Sequence, residues 1–382
     1  MNTDRLVEFA ADLVKRPSLS CQEEAVARRV QDEMENLGFD GVSVDENGSV
    51  VGVLEGAGEG RTVLLDAHTD TVDVEGGVAW KRDPFSGGVE HGVLFGRGSA
   101  DMKGALAAMV HGAAAVDRGE LRGKVVVSAS VMEEVLEGVA LKAVMDRHPP
   151  DVVVIGEATD LNLVRGGRGR VELHLETVGI PTHSSAPHLG RNAVLDMAKV
   201  MMALEEMSLP EHPLMGPAVL VLTEISSVPF PANSVVPSLC RTTWDRRLLP
   251  GEEAGDVLDA LAEATKGLDV GLNAKVGVGE YEAFTGRTLR KEKFFPAWEL
   301  PEDHWLVGRA LEGLSAAGLE PEIRAYRFCT NAAYSAGEAG VPTIGFGPAK
   351  EADAHRVDES LKLDDLGAAA RGYRGIIESL LR

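Results

Sequence analysis

Cysteine is scarce: Cys21, Cys240 and Cys329 are the only three in 382 residues, and none belongs to a C-x-x-C pair. An odd, dispersed set excludes a disulfide framework and suits a reducing compartment, where buried structural thiols are the ordinary use. Long apolar runs are also missing. No stretch approaches the roughly 18 residues that a membrane span needs. Asp4, Arg5 and Glu8 interrupt the N-terminus where a signal peptide requires an unbroken apolar core. Leu6, Phe9, Ala10 and Leu13 recur there at helical spacing instead, so a cytoplasmic location is expected. Positive charge is in deficit, with 38 Lys+Arg against 60 Asp+Glu and a formal net charge of -22. That balance repels phosphate backbones and anionic lipid, so neither nucleic acid nor membrane is an expected partner. Internal repeats are absent, which excludes solenoids. Gly96-Arg97-Gly98 leads into neither a G-x-G-x-x-G nor a Walker pattern, which excludes a phosphate loop.

What is present describes a soluble globular chain of more than one domain, 44% hydrophobic and 26% charged. Short β-branched runs at 50–54, 62–65, 124–131, 151–155 and 341–346 alternate with helical patterns such as 102–116 and 137–147. Continuous apolar runs of that length suit strands covered on both faces, which predicts an α/β core with a mostly parallel sheet and helices on both faces. Ser20-Cys21-Gln22-Glu23 has the form of a capping box and should open a second helix. The middle of the chain changes character. Residues 170–177 alternate polar and apolar like a half-solvated antiparallel strand. Helices follow at 192–207 and 255–266, with strands at 218–225, 238–245 and 269–281. This α+β unit is placed as an insertion at 168–290, between catalytic-domain segments 1–167 and 291–382.

Several acids and a histidine stand just past predicted core strands: His68 after 63–65, Glu133 and Glu134 after 125–131, and Glu157 after 152–155. Ligands of open α/β sheets bind beyond the carboxyl ends of the strands, so these side chains should converge. Asp101 lies in a glycine-rich loop before a helix, and His355 in a loop after the last strand. Converging carboxylates repel one another unless histidines and divalent cations join them. Mixed N/O ligands suit zinc, and also cobalt or manganese. The expected centre holds two divalent ions through His68, Asp101, Glu134, Glu157 and His355, each ion with one histidine and one glutamate and Asp101 bridging. Asp70 is expected to accept the second imidazole N–H of His68. Glu133 is left over as a general base toward a water between the ions.

These residues resemble the M20 metallopeptidase and deacylase family, which includes acetylornithine deacetylase, succinyl-diaminopimelate desuccinylase and the glutamate carboxypeptidases. The matching segments are DAHTDTV (66–72), GRGSADMKGA (96–105), MEE (132–134), GEATD (156–160) and DAHRVDE (353–359). Within the family the chain is most similar to the branch of selenium-metabolism-linked hydrolases, through VRGGRGRVELHLET (164–177), WDRRLLPGE (244–252) and FCTNAAYSAGEAG (328–340). The resemblance implies that the insertion is a lid that also forms a homodimer interface. It further implies that His183, in PTHSS, reaches the partner's site to hold the tetrahedral oxyanion, with Asn233 used similarly. Arg247 matches an arginine that binds a substrate carboxylate, and a cis peptide is implied between Asp101 and Met102. Where several deacylases carry G-T-S-D, this chain has Thr330-Asn331-Ala332-Ala333. That segment often touches substrate, so Thr330 and Asn331 are candidate substrate contacts.

The expected reaction is hydrolysis of an N-acyl amino acid. A metallo-dipeptidase acting on unblocked short peptides is the alternative on the same scaffold. A non-catalytic binding protein would have lost the base or a ligand, and none is missing. His91, His111, His148, His174, His188, His212 and His304 are read as ordinary structural or solvated histidines.

Overall fold

The computed structural model describes residues 2–74 and 79–382. Its central sheet runs, in spatial order, Gly41–Val44, Val50–Glu55, Gly123–Ser130, Arg61–His68, Val152–Ile155, Thr343–Gly345, Leu163–Gly167 and Trp298–Glu299, with Ile323–Tyr326 also paired to Leu163–Gly167. The four strands from Gly123–Ser130 to Thr343–Gly345 are mutually parallel. Antiparallel pairings flank them on both sides. Successive residues of a strand face opposite ways, and the apolar runs supply both faces. Val63, Leu65, Val125, Val127, Val152 and Val154 enter one core, while Leu64, Val126, Val153 and Ile155 enter the other. The first core is covered by helices Thr3–Val14, Glu24–Asn36, Lys103–Ala114, Trp305–Ala316 and Leu363–Leu381, the second by Val139–Arg147. Lys103–Ala114 is buried almost all round, so small residues are required there. A Cβ on Gly112 would lie 2.5 Å from the carbonyl oxygen of Ala370 in the neighbouring helix.

The inserted unit is a second sheet, with Val219–Val228 at one edge, then Leu239–Leu248, Gly169–Val178 and Leu272–Val276. Val171, Leu173 and Leu175 point to one face and pack beneath helices Ala193–Glu205 and Ala254–Ala264 with Cys240 and Trp244. Two expectations need correction. The single strand expected over 269–281 breaks at Gly277, whose N–H goes to the Glu172 carbonyl. Beyond it Val278–Glu282 pairs with Thr288–Glu292 in a hairpin outside this sheet. The chain then returns, and Phe294–Phe295 pair with Arg170 and Val171, so the sheet of this unit continues past residue 290. The second correction concerns the capping box. Helix Glu24–Asn36 begins where expected, but without a side-chain cap. The Ser20 hydroxyl instead donates to Asp70, and Glu23 is buried against another loop.

All three cysteines are free thiols, and no described helix is long and apolar enough to cross a membrane.

Candidate metal centre

The parallel strands end together. His68 closes Arg61–His68 and lies in register with Ser130, while Asp66 and Gly345 both stand opposite Ile155. The loops after these strands therefore open on one side, and His68, Asp101, Glu133, Glu134, Glu157 and His355 line a single pocket of about 330 Å³. The ring of His68 is oriented by its own loop. Its Nδ1 lies 2.9 Å from the Asp70 backbone carbonyl, which can only accept, so Nδ1 carries a proton and Nε2 is the nitrogen turned toward the acids of the pocket. Nε2 faces Asp101 Oδ1 at 3.1 Å and Glu157 Oε1 at 3.5 Å. The Nε2 of His355, a residue with left-handed backbone (φ 56°), lies 3.1 Å from both Asp101 Oδ2 and Glu134 Oε1. One oxygen of Asp101 thus serves each histidine, and one glutamate completes each group. Asp101 is itself fixed from behind. The fully buried Glu359, ion-paired to Arg97 at 2.8 Å, accepts the N–H groups of Ala100 and Asp101 at 2.8 and 3.0 Å. The Asp101–Met102 peptide is cis, as the resemblance implied.

The electrostatics are those of a cation site. Burial, with neighbouring acids adding, pushes the Glu133 and Glu134 carboxyls up, and Glu157 reaches about 8 through burial and the Asp101 charge. His355 is raised to about 10 by its hydrogen bonds to Asp101 and Glu134. Burial works against protonation of His68, but Asp101, Glu157 and Glu133 outweigh it and hold the ring well above the usual histidine range. For Asp101 burial is overcome by the two imidazoles, which keep its carboxyl below the ordinary range. A cluster of this kind takes up protons unless divalent cations replace them. His68, Asp101 and Glu134 form one group with donor atoms close enough to share an ion, and His68, Glu133 and Glu157 form another. Glu133 Oε1 is buried with no hydrogen-bond partner among the described residues. The donor set fits divalent metal.

Other expected residues fall elsewhere. The Asp70 carboxylate is 3.6 Å from His68 Nδ1, so the relay expected of it belongs to its backbone carbonyl. Its carboxylate oxygens accept the N–H groups of Glu133 and Glu134, each at 3.1 Å, and the Ser20 hydroxyl at 2.7 Å. Thr330 and Asn331 are corrected from substrate contacts to buried structure. Asn331 donates to Asp66 and Ser130 and accepts from Gly138, which uses all its polar atoms, and the Thr330 hydroxyl accepts from Ala332 N–H. Neither lines the pocket. Arg247 does line it, with Nε held by Asp245 at 2.7 Å. His183 and Asn233 are exposed on the inserted unit and are not among the residues lining this pocket. Sequence reasoning missed Glu137 and Arg170, which line the pocket and pair at 2.8 Å, and Glu351. It also missed Glu359. That residue closes the DAHRVDE segment, but spacing carries no sign of which acid supports and which binds.

A sheet whose parallel strands end at a cluster of two histidines and four acids defines, together with its relatives, a metal-dependent hydrolase of amide bonds. Residues 64–379 match the model described as Peptidase family M20/M25/M40, and the chain belongs to that family. It is 35% identical to the uncharacterized protein YgeY of Escherichia coli K12, covering 97% of this chain and 93% of the relative. A succinyl-diaminopimelate desuccinylase of Cereibacter sphaeroides is 29% identical over 97% of this chain and 98% of its own length. Among solved structures, the M20 metallo-carboxypeptidase Sso-CP2 of Sulfolobus solfataricus shares the fold at a TM-score of 0.77, with 19% identity and 98% of both chains covered.

Proposed function

We propose that this protein is a deacylase that hydrolyses the amide bond of an N-acyl amino acid with two divalent ions, zinc foremost and cobalt or manganese as substitutes. The observation that carries the reading is Asp101, with one carboxylate oxygen on each histidine and one further glutamate beside each. His68, Asp101 and Glu157 would hold one ion, and Asp101, Glu134 and His355 the other. Bound there, the ions supply Lewis acidity toward the scissile carbonyl and toward water. Glu133 then moves the protons: its unpartnered Oε1 takes one from the attacking water and returns it to the leaving amine. Arg247, whose Nε is fixed by Asp245, presents its Nη groups to the carboxylate of the amino-acid half. His183 and Asn233 stand outside their own pocket, which supports a homodimer in which they close over the partner's site and steady the oxyanion. The desuccinylase named among the relatives supports the deacylase over the peptidase.

Glu351 favours a second reading. An acid on the pocket wall would meet the free α-ammonium of a dipeptide. Turnover of N-acetyl and N-succinyl amino acids against unblocked dipeptides separates the two. For the mechanism, Glu133→Gln is expected to lower kcat about 10²–10⁴-fold with metal content unchanged. A variant that retains its activity removes Glu133 from the role of base.

A further inference from the structure

Glu133 and Glu134 lie in neither strand nor helix. Strand Gly123–Ser130 has ended and helix Val139–Arg147 has not begun, and Met132 takes a left-handed backbone (φ 60°). Such a turn is unfavourable for methionine and persists only if its surroundings impose it. Two buried carboxylates do so. The N–H groups of Met132, Glu133 and Glu134 go in succession to Glu23 Oε1, Asp70 Oδ1 and Asp70 Oδ2, each at 3.1 Å. Glu23 comes from the loop after the first helix. Its side chain has no exposed surface, its Oε1 also accepts Cys21 N–H at 2.9 Å, and its Oε2 has no partner among the described residues. The same loop is tied to the His68 strand end by Ser18 Oγ on the Thr69 carbonyl at 2.7 Å and by Ser20 on Asp70.

We propose that Glu23 is a positioning residue for the hydrolysis: by accepting the Met132 N–H it sets the turn that aims Glu133 at the reacting water and Glu134 at its ion. The inference rests on the roles given above to Glu133 and Glu134. The buried side chain supplies an acceptor at the reach where a backbone donor would otherwise be orphaned. Burial, reinforced by Asp70, raises the Glu23 carboxyl to about 7. With a proton on Oε2 the group, like glutamine, sets a donor beside an acceptor oxygen, and Oε1 accepts in either state.

Two conservative variants test this. Glu23→Gln keeps an acceptor at the same reach, whereas Glu23→Asp keeps the charge and withdraws it by one methylene. Positioning predicts kcat within about threefold of the parent for E23Q, and a fall of about 30-fold or more for E23D at a KM within about twofold. Cobalt titration followed by visible absorption reads the Glu134 geometry independently of turnover. E23Q should reproduce the parent spectrum and E23D should not. Parent-like kcat and spectrum in E23D, or an equal loss in both variants, overturns the proposal. E133Q is assayed alongside: if it stays active, the base assignment fails first and takes the inference with it. If E133Q is inactive and E23D is not, only the positioning role is lost.

Discussion

At the scale of single residues, His111 shows what the same side chain does away from the candidate metal centre. It is buried on helix Lys103–Ala114, 3.1 Å from Glu33 and against the ring of Phe9. Burial lowers its pKa from 6.5 to about 4 although Glu33 pulls the other way. Between those values the unfolded chain binds a proton that the folded chain refuses. The resulting stability is therefore complete above about pH 6.5 and drains away as pH falls toward 4. Urea unfolding at pH 7 and pH 5 should show the parent losing about 2 kcal/mol more than His111→Gln over that interval. Because both proteins carry the same metal-site acids, their difference isolates His111, and parallel losses would sink the assignment. His68 and His355 stand out in the sequence as candidate ligands, because His68 ends a core strand and His355 lies inside a matched segment. The support beneath them was not readable. That Asp70 offers a carbonyl to His68 and a carboxylate to two amides depends on loop conformation, which no side-chain pattern encodes. Asn331 fails for the same reason: only the folded loop shows that Asp66, Ser130 and Gly138 engage both of its polar atoms.

Among the elements, the hairpin Val278–Glu282 with Thr288–Glu292 was the least legible. A period-2 pattern does not say which sheet a strand joins, so one run was read where Gly277 divides two. The hairpin leaves the inserted unit and lies on the catalytic core. Ala283, Leu289 and Phe284 pack with Val131, Met132 and Leu136, the turn that carries Glu133 and Glu134. Its tip rests on the turn after Gly41–Val44, with the Thr285 hydroxyl on the Glu46 carbonyl at 2.8 Å and Arg287 paired to the Glu46 side chain at 3.1 Å. Gly48 is the seat of this contact. Its φ is +104°, and a Cβ there would stand 2.4 Å from Phe284 Cε1. Gly48→Ala should therefore cost about 2–3 kcal/mol, part backbone strain and part collision with the ring. Phe284→Ala removes the collision and leaves the strain. The alanine substitution should then cost about 1 kcal/mol less in the F284A background than alone. Equal costs in chemical denaturation would mean that the ring does not occupy Gly48. The parallel strands, by contrast, were plain in the sequence because each is a short apolar run feeding two cores at once.

For the whole molecule, the question is whether one chain can complete its site. Most of the large apolar side chains exposed among the described residues belong to the inserted unit, Ile180, Leu189, Leu195, Met202, Ile225 and Phe230 among them, while Trp305, Val44 and Val89 lie outside it; Val219–Val228 is an open sheet edge of the same unit. Open edges and clustered apolar side chains are features that a second copy can cover. His183 and Asn233 lie on the same unit, outside their own pocket. A closed pair places equivalent surfaces against each other, so a residue reaching across serves the partner's site and receives the same in return. This arrangement makes a prediction that a self-sufficient monomer cannot meet. Glu133→Gln and His183→Ala should each be nearly inactive alone. Mixed in equal amounts and allowed to exchange subunits, half of the dimers carry one of each chain. In those dimers the subunit with an intact Glu133 receives His183 from its neighbour, while the other site lacks both groups. Activity should climb with exchange to roughly a quarter of the parent's. A mixture that stays at the sum of the two variants, with exchange verified by mass, would place His183 outside the reaction or inside its own subunit's site.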